Sequence, residues 1–141
     1  MKASDNCIGV IKNHEGYKMK AYKCPAGVWT VGFGSTVGVT EGMVVTEQQA
    51  IEMLRKHLVS VERDLNNLKL AINQNQFDAL VSFIYNIGFG AFLKSGILRT
   101  IRANANSPVI RTQFSEWVNG GGKRLPGLIR RRADETNLYF S

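Results

Sequence analysis

The chain is poor in cysteine, poor in acidic residues and free of long apolar runs. Its two cysteines, Cys7 and Cys24, are too few for a disulfide scaffold and lack the paired spacing of a zinc site. Nothing in them demands an oxidising compartment. Behind Met1-Lys2-Ala3-Ser4-Asp5-Asn6 no apolar stretch reaches signal-peptide or membrane-span length. A protein without its own export signal is the expectation, with Asn137–Ser141 read as its natural end. Internal repeats and low-complexity linkers are also absent. The 11 acidic residues face 18 basic ones, for a net charge of +7 and a pI of about 9.7. That balance suits an anionic partner: nucleic acid, an acidic membrane surface, or a wall polymer carrying carboxylates. Charge alone does not choose among them.

Hydrophobic residues make up 44% and charged residues 21% of the 141 positions, the balance of a folded chain of one-domain length. Such a length buries roughly two-thirds of its unfolded surface, enough for a core without staples.

A first helix is expected from Ser4 or Asp5, either of which can cap it, with a stripe of Cys7, Val10, Ile11 and His14 and a stop at Gly16. From about residue 17 to 45 glycine is dense and β-branched and aromatic residues cluster in Val28–Phe33, with Pro25-Ala26-Gly27 as the turn between two extended runs. This predicts a small β-hairpin lobe. Thr46 and Gln49 form a capping box, and Ile51, Leu54, Leu58, Val61, Leu65 and Leu68 follow at helical spacing. One long connecting helix over about 47–68 follows from that. The remainder, about 70–141, reads as helices throughout. One is capped by Asn73 or Asn75 and ends near Gly88, another starts at Ser95, and a third starts at Ser107-Pro108 and leads to Phe114, Trp117 and Val118. Gly120-Gly121-Gly122 breaks the third, and Pro126-Gly127 opens a last, basic one. The fold class is α+β: a β-hairpin lobe and a larger helical lobe, including the N-terminal helix, in one unit.

With so few carboxylates, Glu15 stands out by its predicted place in the last turn of the first helix. There the macrodipole disfavours the ionised form, and partial burial against the β lobe acts the same way. Both suit a general acid working near neutral pH.

Eight residues separate Glu15 from Cys24 and five separate Cys24 from Thr30, followed by Gly32-Phe33-Gly34. The run resembles the motif of the lysozymes of double-stranded DNA phages, glycoside hydrolase family 24, and within it the lambdoid endolysin branch, related to T-even phage lysozyme. Asp78–Gly88 is similar to that family's central helix, and Trp117–Lys123 and Pro126–Arg132 to its C-terminal signature. The resemblance implies an endolysin, a muramidase hydrolysing the β-1,4 bond between N-acetylmuramic acid and N-acetylglucosamine in peptidoglycan, with no metal and no cofactor. It implies that Glu15 protonates the glycosidic oxygen, that Thr30 holds the attacking water, and that Cys24 occupies the place of the second catalytic group. Tyr85 and Asn86 would line the saccharide cleft with Trp117, Asn119, Gly120 and Gly121, and Arg131 or a neighbour would pair with Glu15. The family also implies a monomer that waits in the host cytoplasm for holin-mediated release, and no nucleic-acid partner.

Two positions depart from the family's commonest pattern. Cys24 stands where many relatives carry Asp, and a thiol with a pKa near 8.5 is mostly neutral at pH 7. A thiolate would be a competent nucleophile, whereas a neutral thiol would only orient water. The sequence leaves both open. Ser35 stands where many relatives carry His, and its presence is expected to loosen the β lobe without abolishing catalysis.

Other readings are weaker. The Gly32–Gly38 glycines lack the spacing and following helix of a nucleotide loop. A cysteine hydrolase using Cys24 with His14 or His57 needs a positioned base, and none is signalled. Lys123, Arg124, Arg130, Arg131 and Arg132 form a basic stretch suited to weak contact with anionic lipopolysaccharide or lipid, or else a solvated helix face. A pairing of Cys7 with Cys24 is a further alternative.

Overall fold

The computed structural model describes Met1–Ser141. Helix α1 spans Asp5–Glu15, capped by the Ser4 side chain and stopped at Gly16, whose φ of +70° suits glycine, both as expected. Its buried face is Cys7, Ile8 and Ile11, while Val10 and His14 are only half-buried. The stripe is therefore rotated from the expected one, because Ile8 rather than Val10 is buried in the core.

Strands β1 (Lys18–Lys23) and β2 (Trp29–Gly32) form an antiparallel hairpin whose register shifts between Lys18 and Tyr22. On the other edge of β1, Lys20 bridges Val44. Helix α2 (Glu47–Asn67) starts at the Thr46–Gln49 capping box and buries Ala50, Leu54, Leu58 and Leu65. It packs both on β2 and on the next helix, α3 (Gln74–Ile87), so it joins the lobes.

Helix α3 (Gln74–Ile87) is capped by Asn73 through a second capping box and is buried almost all round. It is the axle of the helical lobe, contacting α1, α2 and α7 (Pro126–Tyr139). At its centre Phe83 meets Phe92, Phe114 and Trp117 edge-on at centroid distances of 6.3, 5.1 and 5.8 Å. Such geometry adds about 0.5–1.5 kcal/mol per pair beyond area burial. Asp78, fully buried on α3, accepts hydrogen bonds from the Ser4 backbone N–H and hydroxyl and from Gln74. This contact ties the start of α1 to α3 and fixes where α1 delivers its last residue, Glu15.

Three expectations for the C-terminal half need correction. A short helix α4 (Phe89–Leu93) precedes α5 (Gly96–Ala103), where Phe92 drops into the core. Helix α6 (Val109–Ser115) ends before Trp117 and Val118, which lie outside it. The region is not helical throughout: β3 (Asn119–Gly120) and β4 (Lys123–Arg124) pair as a second hairpin across Gly121 and Gly122. Gly120-Gly121-Gly122 therefore do not break that helix, which has already ended; Gly121 and Gly122, at φ +59° and +78°, supply the turn of the hairpin. No helix is long and apolar enough to cross a membrane.

Candidate active site

Glu15 leaves the end of α1 with its side chain one-quarter exposed. Its Oε1 receives a 2.7 Å ion pair from Arg131 Nη1 on α7, as the sequence anticipated. Its Oε2 takes no hydrogen bond from the protein and lies beside Gly34 and the Tyr85 hydroxyl. A Cβ built on Gly34 would sit 3.3 Å from Oε2 and 3.4 Å from the Tyr85 oxygen, and Gly34 has φ +87°. Only glycine suits both the conformation and the closeness.

Tyr85 donates to the Phe33 carbonyl at 3.1 Å. Burial, with the Glu15 charge second, pushes its hydroxyl up to about 12, so it remains a neutral donor at working pH.

The fixing of Arg131 is the feature that sequence reading missed. Its Nη2 donates to the Ser82 carbonyl at 3.1 Å, and its Nε pairs with Glu135 Oε2 at 3.3 Å. Glu135 is fully buried, accepts from the Ser82 hydroxyl at 2.6 Å, and has Arg132 Nε 2.7 Å from its Oε1. That last contact is a close charge pair without hydrogen-bond alignment. Burial pushes the Glu135 carboxyl up, against the opposing pull of Arg132 and Arg131. Arg132 in turn donates to Asn86 Oδ1 at 2.8 Å and stacks on Phe83. The basic stretch is therefore not a uniform solvated face: Arg131 and Arg132 are buried, while Lys123, Arg124 and Arg130 are exposed. The signal was present in the sequence. Glu135 lies four residues after Arg131 and three after Arg132, the spacing at which helical side chains meet.

On the β lobe, Cys24 opens the turn between β1 and β2. The Gly27 N–H donates to the Cys24 carbonyl at 2.8 Å, and the Cys24 N–H to the Val28 carbonyl at 2.9 Å. Gly27, at φ +78°, lets the chain reverse there, as in a turn followed by a left-handed glycine. The fold turns backbone N–H groups of Val28 and Ala26 onto the half-buried Cys24 sulfur and draws its pKa below the ordinary thiol value, with the Thr30 hydroxyl a smaller contributor. Thr30, buried on β2, donates from Oγ1 to the Val28 carbonyl at 3.0 Å. Cys24 and Cys7 are both free. Burial drives the Cys7 thiol up, so it is inert where Cys24 is primed.

A cavity of about 540 Å³ runs from Glu15 and Arg131 past Asn86 and Leu128. Asn86 and Leu128 also line a second of about 670 Å³ with Trp117 and Asn119, so the two form one groove. Gly120 does not open onto it: its Cα packs on Leu125, where an added Cβ would meet a methyl at 2.6 Å. Gly121 has nothing within 4 Å of that position and is exposed. Ser35 is buried, and its backbone pairs with Val31 in both directions at 2.9 and 3.0 Å, closing the chain over Phe33-Gly34.

A helical lobe and a β hairpin meeting at a carboxylate held by arginine define a lysozyme-fold glycosidase. Residues 12–135 match the phage lysozyme family. The chain is 39% identical to an endolysin of Acyrthosiphon pisum secondary endosymbiont phage 1, over 100% of this chain and 99% of that one. Among solved structures it is similar to the muramidase domain of SpmX from Asticaccaulis excentricus, at 36% identity and a TM-score of 0.91, covering 99% of this chain and 98% of that one. A P22 lysozyme variant superposes with a TM-score of 0.88 at 35% identity, covering 100% and 99%. The chain belongs to the phage lysozyme family, and it is a muramidase of the endolysin kind.

Proposed function

We propose that Glu15 Oε2 protonates the oxygen linking N-acetylmuramic acid to N-acetylglucosamine while a water held by Thr30 attacks the anomeric carbon. Arg131 occupies Oε1, which leaves Oε2 as the oxygen free to face the substrate. That observation carries the assignment. Cys24 takes the proton released by the water, because the turn N–H groups favour its thiolate. The glycosidic bond breaks, the carbon–oxygen bond to water forms, and one proton moves at each end. Single displacement by water inverts the anomeric centre.

The groove past Asn86, Trp117 and Asn119 holds the glycan. Arg131 keeps Glu15 in place at its head, and Gly121 offers backbone at its far end. The exposed Lys123, Arg124 and Arg130 favour approach to an anionic wall or lipid surface. The protein acts as a monomer and reaches the wall from the host cytoplasm after holin action.

Chromatography of products from purified peptidoglycan tests the reaction. New reducing muramic ends, formed first as the inverted anomer, are expected. Anhydromuramic ends would mean intramolecular transfer and would overturn the water mechanism.

A further inference from the structure

On the helical lobe a cavity of about 310 Å³ opens between α6, β4 and α7. Arg111 lines it from α6, Arg124 from β4 and Asn137 from α7, and Val118, Ile129 and Ala133 give it apolar surface. It shares no residue with the cavity at Glu15, and only Arg132 with the rest of the groove. The Arg132 guanidinium is already engaged by Glu135, the Trp117 carbonyl and Asn86. The other two arginines are the ones open to a ligand.

No carboxylate lines the cavity, and neither Arg111 nor Arg124 enters an ion pair within the chain. Both are exposed. The Arg111 guanidinium lies 4.1 Å from the centre of the Phe140 ring. Stacking of that kind holds the planar group by its face and leaves its N–H edge to bond a ligand. Two like charges brought to one cavity repel each other, and an anion between them removes the repulsion. Arginine forks fit carboxylate and phosphate alike. A carboxylate has two oxygens, and a single fork takes both. A phosphate has enough oxygens for two forks arriving from separate elements, and the Asn137 amide can donate to a further one. The apolar surface then suits the carbon skeleton of an ester.

We propose that this cavity binds the phosphate ester of a small polyol, of which glycerol phosphate is the simplest, and so holds the enzyme at phosphate-bearing material of the cell envelope. Arg111 and Arg124 grip the phosphate, Asn137 donates to it, and Val118 and Ile129 pack on the ester carbons. The phosphate belongs either to a lipid headgroup or to a free ester, and the chemistry of recognition is the same for both. The site stands on α6, β4 and α7 and is independent of the role of Glu15.

The direct test titrates isotope-labelled protein with glycerol 3-phosphate and follows by NMR the Nε–H signals of Arg111 and Arg124, the Asn137 amide and the Val118 methyls. Saturable shifts are expected with glycerol 3-phosphate, weaker ones with inorganic phosphate, and none with glycerol or acetate at the same concentration and ionic strength. Absence of saturable shifts, or equal shifts with acetate or inorganic phosphate, would overturn the proposal. Arg111→Gln and Arg124→Gln, both at exposed positions, should each weaken binding about tenfold. Arg102→Gln removes an equal charge from an exposed position on α5 outside the cavity, and should change binding less than about twofold. Equal losses in all three variants would mean attraction to net charge alone and contradict a built site. Sedimentation with phosphatidylcholine vesicles, with and without phosphatidylglycerol, separates the two sources. Binding to phosphatidylglycerol that falls in Arg111→Gln but not in Arg102→Gln assigns a lipid headgroup, and vesicle binding that the two variants share equally assigns a free ester. The titration needs no turnover, so Glu15→Gln should bind glycerol 3-phosphate as the wild type does.

Discussion

The two sides of the cleft are built by opposite means. On the helical side, Glu15 is positioned by a partner 116 residues away, and Arg131 is itself fixed by Ser82 and the buried Glu135. On the β side, Cys24 and Thr30 are placed within one hairpin, through neighbours no more than eight residues off. The acid's geometry is thus part of the core, and changes around it should cost stability as well as activity. The thiol and hydroxyl sit in a local device, where changes should cost activity with little loss of stability.

The largest expected effect is on the acid itself. Glu15→Gln keeps the shape and one hydrogen bond to Arg131 but removes the transferable proton. Steady-state clearing of purified peptidoglycan should fall by roughly 10³-fold, with the melting temperature little changed.

Arg131→Met sharpens the contrast. It leaves Glu135 fully buried with Arg132 as its one remaining cation, and unfolding in denaturant should register a loss of about 3 kcal/mol. Activity should fall about tenfold at the same time, because Glu15 loses its restraint. A stable Arg131→Met protein with full activity would break the distinction between the two sides.

The smallest effect is a shift in titration. Alkylation of Cys24 should follow thiolate formation with an inflection below the ordinary thiol value. Cys7 should stay unreactive until the chain unfolds, being fully buried. The folded state binds the Cys24 proton less tightly than the unfolded chain does. The stabilisation is therefore present above the unfolded thiol's pKa and lost as pH falls through the folded value. Cys24→Ser should remove that part of the pH dependence of stability.

Local signals made much of this legible in the sequence. Ser4, Thr46 and Asn73 each announced a helix start through short-range hydrogen bonds, and each caps as expected. The Pro25-Ala26-Gly27 turn and the spacing of Glu15, Cys24 and Thr30 are likewise local. What escaped depends on distant contacts. Gly120-Gly121-Gly122 read as a helix breaker, and only the pairing of Asn119 with Arg124 makes it a hairpin. The spacing of Glu135 from Arg131 and Arg132 is local, but only the packing of α7 on α3 buries it between the two arginines. A cavity lined by Ser35 and Val37 of the β lobe and Met53 and His57 of α2 likewise exists only once the two have packed.

The central claim is that the two sides, so differently built, serve one chemical step. A double-mutant cycle of Glu15→Gln with Thr30→Val, read as kcat/KM on purified peptidoglycan with melting temperatures as control, tests it most directly. Residues acting as a unit are strongly non-additive, so the double variant should lie within about threefold of Glu15→Gln alone. Losses that multiply, with both singles folded, would place Glu15 and Thr30 in separate steps and contradict the account.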